Sequence, residues 1–92
     1  MAERKIYEIA EEISATWANV NFAAVPYLDA LRYIATKEDY YGADPATSVA
    51  AYFLANASGF RGADARRLKA ELKVAAGISK PPRNVPLPRG LR

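Results

Sequence analysis

The chain has 92 residues and a formal net charge of +3, from 13 Lys or Arg and 10 Asp or Glu. This length suits one domain with a modest core. Histidine and cysteine are both absent, which excludes disulfides, cysteine nucleophiles, histidine general bases and the usual zinc sites.

The positive charge is concentrated at the C-terminus. Residues 1–76 hold nine Lys or Arg against ten Asp or Glu, whereas the remainder carries Lys80, Arg83, Arg89 and Arg92 and no acid. Four prolines between positions 81 and 88 forbid a helix there. We therefore expect a helical domain over residues 1–77 and a disordered, extended basic tail over residues 78–92. The tail either docks on an acidic groove or a phosphate backbone, or has no partner.

Apolar residues recur at helical spacing through the first part of the chain. The pattern predicts helix one from about Ala2 to Thr16 and helix two from about Pro26 to Thr36. The residues that these two helices are predicted to bury are Ile6, Ile9, Ala10, Ile13, Trp17, Leu28, Leu31 and Ile34.

Two further helices follow. Asp44 is a predicted cap with Pro45 at the first position of helix three, which runs to about Ala57. Helix four opens near Gly62 with Gly77 as its predicted C-cap, and its buried stripe is Ala65, Leu68, Leu72 and Ala75. No strand pattern is visible, so we predict an all-α fold: a compact bundle of about four short helices.

The aromatic residues divide into a predicted core set and a predicted exposed pair. Tyr40 and Tyr41 lie in a polar loop, where they are candidates for anchoring a partner protein. The predicted core set is Trp17, Phe22, Tyr27, Tyr33, Tyr52, Phe53 and Phe60.

Cations line one side of helix four. Arg66, Lys69 and Lys73 share a face, and Arg61 lies just before the helix. Two interpretations remain open, an ordinary solvated face and a face that binds an anionic partner. Arg67 lies on another side of the helix and is expected to pair with Asp64 or Glu71.

A helix-turn-helix unit over residues 51–70 is the alternative interpretation. In this hypothesis Arg61, Arg66 and Arg67 are exposed positions that bind DNA. Ser58 and Gly62 depart from the motif. The residues that fit its spacing are Ala55, Gly59, Phe60, Ala65 and Leu68.

Catalytic and metal sites are not predicted. Glu38, Asp39 and Asp44 cluster in the loop but lack the alternating ligands of a calcium loop. The sequence has neither a signal-peptide h-region nor an apolar run of membrane-spanning length. We therefore expect a non-enzymatic, soluble, intracellular protein with no cofactor, no metal and no membrane association.

Several short motifs carry a family resemblance over residues 4–73. They are Trp17, Val20-Asn21, Pro26-Tyr27-Leu28, Tyr41-Gly42, Tyr52-Phe53-Leu54, Asn56-Ala57, Arg61-Gly62, Ala65-Arg66 and Lys69-Ala70-Glu71-Leu72. Together they resemble a family of short proteins encoded by phages and prophages of Gram-positive bacteria, a family without an established function. The resemblance implies a phage accessory protein in the cytoplasm of an infected bacterium, and it implies no particular site residue.

These observations favour a small helical interaction module that binds a host or phage protein. The predicted contacts are the Tyr40–Tyr41 loop and the cations of helix four. A small DNA-binding regulator is the alternative function, and a homodimer that covers Trp17 or Phe22 is a further one.

Overall fold

A computed structural model describes residues 4–78. Within that range the chain is mostly helical, with one short strand pair that makes it less than strictly all-α. The tail expected over residues 78–92 lies, except for Ile78, outside the described residues. The elements in chain order are α1 (Ile6–Thr16), α2 (Val25–Leu31), β1 (Tyr40–Tyr41), β2 (Asp44–Pro45), α3 (Ala46–Ala55) and α4 (Ala63–Ala75).

The core lies where α1 packs against α2 and α4, and where α2 packs against α3. The predicted stripe of α1 is buried along its whole length, and so are Ala65, Leu68 and Leu72 of α4. Trp17, just beyond α1, meets Phe53 edge-on and stacks on Phe60 with 5.0 Å between ring centroids. The helical periodicity therefore predicted the core of both helices, except that Ala75, also predicted to be buried, is only partly buried.

Helix α2 ends at Leu31, five positions earlier than predicted. The backbone leaves the helix because its polar groups find other partners. The Asp39 carboxylate accepts the N–H groups of Ala35 and Thr36 at 2.9 and 3.0 Å. The Ala35 carbonyl accepts the N–H of Ile6 at 2.9 Å, which satisfies one of the free amides at the start of α1.

A two-residue turn joins β1 to β2, and this hairpin was missed by the sequence analysis. Tyr40 pairs with Pro45 and Tyr41 with Asp44. Gly42 begins the turn with φ of 63°, the left-handed conformation that hairpin turns favour at this position. The predicted capping role of Asp44 is wrong, because Pro45 is the N-cap of α3 and no side chain caps the helix.

Helix α4 has the C-terminus that Gly77 predicts. Gly77 has φ of 77° and donates its N–H to the Val74 carbonyl, while Ile78 donates to the Lys73 carbonyl at 2.9 Å. This is a Schellman motif, which satisfies carbonyls that a helix end leaves free. The Thr47 hydroxyl donates to the Ala76 carbonyl at 2.7 Å and so fastens the end of α4 to α3.

Three of the aromatic residues predicted to be in the core are exposed instead. Phe22 is 91% exposed, Tyr33 78% and Tyr52 52%. Phe22 lies in the turn between α1 and α2, and Tyr33 lies beyond the end of α2. Neither residue is in a helix, so helical spacing did not determine where its side chain lies. Among residues 4–78, no helix has both the length and the apolar character needed to cross a membrane.

Candidate interaction surfaces

The two flanks of α4 differ in how their charges are paired. On one flank, Nη2 of Arg67 lies 2.8 Å from Glu12 and 3.3 Å from Asp64. Glu12 also pairs with Arg4 at 2.9 Å, and Arg4 binds Glu71. The expected pairing of Arg67 with Asp64 is confirmed, while Glu71 pairs with Arg4 instead. These ion pairs neutralise the flank of α4 that faces α1.

The opposite flank carries Arg66, Lys69 and Lys73, which we call the basic cluster together with Arg61. Arg61, Arg66 and Lys73 are exposed, and Lys69 is half-buried. None of the four forms an ion pair with another residue in the range 4–78. Positions 66, 69 and 73 follow the i, i+3, i+7 spacing of one helical face, as the sequence predicted.

Lys69 links the basic cluster to the core. Its ammonium nitrogen lies 5.8 Å from the centroid of the Phe60 ring, within the range of a cation–π contact. Burial lowers the pKa of this ammonium, and the positive charges of Lys73 and Arg61 lower it further. The positive charges of Lys69, Lys73 and Arg61 therefore repel one another, and no acid among the described residues offsets this repulsion.

The arrangement of α3 and α4 departs from a helix-turn-helix unit in two respects. Ala55, the small residue that the motif places at the helix crossing, is exposed. The connection spans residues 56–62, longer than the motif's turn of about three or four residues. Arg67, one of the three DNA-binding candidates, is held in the ion pairs with Glu12 and Asp64, whereas Arg61 and Arg66 lie in the basic cluster.

A second exposed surface surrounds the hairpin. Tyr40 is 65% exposed and Tyr41 44%, as their loop position predicted. The ring of Tyr33 lies beside that of Tyr41, with 6.1 Å between centroids and 36° between planes. No hydrogen bond or ion pair in the described range 4–78 joins Tyr40 or Tyr41 to the basic cluster. The two candidate sites lie on different elements: the two tyrosines are in β1, which packs against α3, and the basic cluster lies on and just before α4.

At this second surface, the sequence assigned Tyr33 wrongly to the core and Asp44 wrongly to a helix cap. The hairpin places both of them at the second surface. A signal was present in Tyr40-Tyr41-Gly42-Ala43-Asp44, because tyrosine favours strands and a Gly-X pair is a common two-residue hairpin turn. It was missed because the flanking strands are only two residues long.

Three carboxylates have a lowered pKa, and in each case the cause is an ion pair or a hydrogen bond within the fold. Arg67 and then Arg4 lower the pKa of Glu12, and Arg4 lowers that of Glu71. The backbone amides of Thr36 and Ala35 lower the pKa of Asp39. In the part of the chain that is described, no group of three His, Cys, Asp or Glu residues could hold a metal ion.

Comparisons with known proteins return no relative. No family model matches the chain, and no curated protein or solved structure matches it.

Proposed function

We propose that this chain is a non-enzymatic helical interaction module, and that the basic cluster binds an acidic surface of a host or phage protein. The observation that carries this proposal is the contrast between the two flanks of α4. Arg67 is neutralised by acids of its own fold, whereas Arg61, Arg66, Lys69 and Lys73 are left without an acidic partner in residues 4–78.

An acidic partner would relieve the repulsion within the basic cluster. Lys69 is the central member, because it is half-buried against Phe60 and its pKa is lowered by burial and by two neighbouring cations. Carboxylates placed across this face would offset that repulsion and would speed association through long-range attraction.

A protein partner is favoured over DNA by the overall charge balance. Residues 4–78 carry nine Lys or Arg and nine Asp or Glu, so the folded part lacks the excess positive charge that drives non-specific phosphate binding. The exposed Ala55 and the long connection between α3 and α4 also weigh against a helix-turn-helix. A DNA-binding regulator that uses Arg61, Arg66 and Arg67 remains the alternative proposal.

The biological setting that we propose is the cytoplasm of a phage-infected bacterium. The support for this setting is the resemblance of residues 4–73 to the phage and prophage proteins. The tyrosine pair Tyr40–Tyr41 is a second candidate contact on the same module.

A charge-matched pair of variants tests the proposal. The first removes three cations of the basic cluster (Arg61→Gln, Arg66→Gln, Lys73→Gln), and the second removes three cations elsewhere (Lys5→Gln, Arg32→Gln, Lys37→Gln). Both lower the net charge equally. The measurement is affinity for a polyglutamate peptide and for duplex DNA over a range of salt concentrations, followed by capture from a nuclease-treated host lysate.

We expect the first variant to bind polyglutamate about tenfold more weakly and the second to stay within about twofold of the parent chain. A captured protein should be lost with the first variant only. Equal losses in both variants would contradict the proposal. Strong DNA binding that weakens steeply with salt and with Arg67→Gln, without polyglutamate binding, would support the regulator instead.

A further inference from the structure

The hairpin holds a carboxylate beside two exposed aromatic rings. Tyr41 and Asp44 are directly opposite each other in the strand pair. Opposite residues of an antiparallel pair project from the same face of the ladder, with Cβ atoms about 5 Å apart. Tyr33 extends the group, since its ring centroid is 6.1 Å from that of Tyr41. The three side chains therefore form one small surface of two rings and one acid.

Tyr33 and Asp44 do not have the roles in the fold that the sequence predicts, and Tyr41 is exposed as predicted. Asp44 caps no helix, and its carboxylate has no hydrogen bond or ion pair with any residue between 4 and 78. Tyr33 is 78% exposed and Tyr41 44%. By contrast, Asp39 in the same loop is occupied by two backbone amides. Within the described range 4–78, the Asp44 carboxylate thus has no partner, which suits it to accept a hydrogen bond from outside this part of the chain.

The backbone around this surface is held in place on both sides. The Asp39 carboxylate fixes the turn at Ala35 and Thr36, just after Tyr33, and the Asp39 carbonyl accepts the N–H of Ala46 at 2.9 Å, just after β2. A partner would therefore meet side chains carried by a backbone whose position is already set, which lowers the backbone entropy lost on binding.

We propose that Tyr33, Tyr41 and Asp44 form a binding site for an arginine side chain of a partner protein. A guanidinium is planar, stacks on aromatic faces within about 6 Å of the ring centroid, and donates two parallel hydrogen bonds to one carboxylate. A lysine ammonium also pairs with a carboxylate and attracts an aromatic ring, but it has no plane to stack on the ring and no fork for two parallel hydrogen bonds. This site binds a positively charged partner, whereas the basic cluster binds an acidic one. The arginine site and the acid-binding function of the basic cluster can therefore be tested, and contradicted, independently.

Titration of the isotopically labelled full chain with acetylated tetra-arginine amide tests this site by NMR. Tetra-lysine is the comparison for charge alone, and tetra-citrulline has the same shape without the charge. We expect tetra-arginine to shift the signals of Tyr33, Tyr41 and Asp44 and to bind several-fold more tightly than tetra-lysine. Tetra-citrulline should leave these signals unchanged.

Matched variants separate the site from the general attraction of acids for a cationic peptide. Asp44→Asn and Tyr33→Leu should each weaken tetra-arginine binding about tenfold. Asp29→Asn and Tyr52→Leu, which alter an exposed acid and an exposed tyrosine elsewhere, should stay within about twofold. Unfolding curves for all four variants serve as the check that each one is folded.

Two results would overturn the proposal. One is equal weakening by Asp44→Asn and Asp29→Asn, because the peptide would then sense only net charge. The other is evidence that an arginine of this chain's own tail already occupies the site. In that case tetra-arginine would cause no shift in the parent chain, and Arg83→Gln with Arg89→Gln would move the Tyr33 and Tyr41 signals without peptide.

Discussion

The Arg4 guanidinium binds the Glu71 carboxylate through two hydrogen bonds, with 2.8 Å from Nε to Oε2 and 2.6 Å from Nη2 to Oε1. This contact joins a residue two positions before α1 to the third turn of α4. Two parallel hydrogen bonds fix the orientation of both side chains, which distinguishes this ion pair from a single-contact one. The pair is partly open to solvent, with about a third of each side chain exposed, so water screens its energy.

Glu71→Gln should lower the free energy of unfolding by about 1 kcal/mol, the upper end for a partly exposed pair of good geometry. Urea unfolding measures this change, and Arg4→Gln combined with Glu71→Gln completes a double-mutant cycle. Glu11→Gln is the control, because its contact with Arg32 is a single one at 3.5 Å. Equal effects of Glu71→Gln and Glu11→Gln would show that the two-bond geometry contributes nothing.

The free energy of unfolding should fall as the pH is lowered, because the carboxylates that form ion pairs between α1 and α4 become protonated. Arg4 lowers the pKa of Glu71, and Arg67 with Arg4 lowers that of Glu12, from an ordinary value of 4.5. A carboxyl with a lowered folded-state pKa stabilises the fold fully above its unfolded pKa. That stabilisation is lost as the pH falls from about 4.5 through the lower folded-state pKa.

Unfolding at several pH values between about 6 and 3 measures this loss. The double variant Glu12→Gln with Glu71→Gln should be less stable at neutral pH and should lose less stability on acidification. Some dependence will remain because Asp39 also has a lowered pKa. If the double variant lost as much stability in acid as the parent chain, the loss could not be assigned to Glu12 and Glu71.

Asp39→Ala should loosen the segment that follows α2. Its carboxylate is the acceptor for the amides of Ala35 and Thr36, and without it these two N–H groups lose their partner. We expect faster hydrogen exchange at both amides. Asp39→Asn should restore part of the protection, since its side-chain oxygen also accepts hydrogen bonds. Unchanged exchange in Asp39→Ala would mean that the local backbone, and not the carboxylate, holds this turn.

The helices were predictable from the sequence because each packs on the core along one face. The buried stripe of α1 and the C-cap at Gly77 both follow from local pattern, through helical spacing and through the left-handed conformation that glycine tolerates. The early end of α2 was not predictable in the same way. It depends on Asp39, which is a local partner of Ala35 and Thr36, and on Ile6, which is distant in sequence, so a local pattern contains only part of the information.

The candidate surfaces also divide into one that a local sequence pattern predicts and one that it does not. The basic cluster was predictable because three of its four members share one helical face and the fourth, Arg61, lies just before that helix. The site at Tyr33 was not, because it depends on where α2 ends and on a strand pair of two residues on each side. Asp44 was misassigned for a related reason: Asp-Pro is a common helix start, and the hairpin used the same residues for a strand.

Gly77→Ala should destabilise the fold by about 1 kcal/mol or more, because Gly77 has positive φ. An added Cβ would also lie 3.2 Å from Cδ of Lys37. Gly59→Ala is the matched control, since a Cβ there would meet Trp17 at an ordinary 3.9 Å and the backbone has no positive φ. Thermal unfolding compares the two. Equal melting temperatures would show that the Schellman motif does not stabilise α4.

The exposed position of Phe22 predicts that this large aromatic residue contributes little to folding. Phe22→Ser should change the free energy of unfolding by less than about 0.5 kcal/mol, as for a surface position. Phe53→Ala should cost about 3–5 kcal/mol, because its ring is fully buried and its loss leaves a cavity. Urea unfolding followed by Trp17 fluorescence measures both. A large loss in Phe22→Ser that shrinks as the protein is diluted would reveal a dimer that covers Phe22, because dilution dissociates the parent dimer and removes the stability that the variant already lacks.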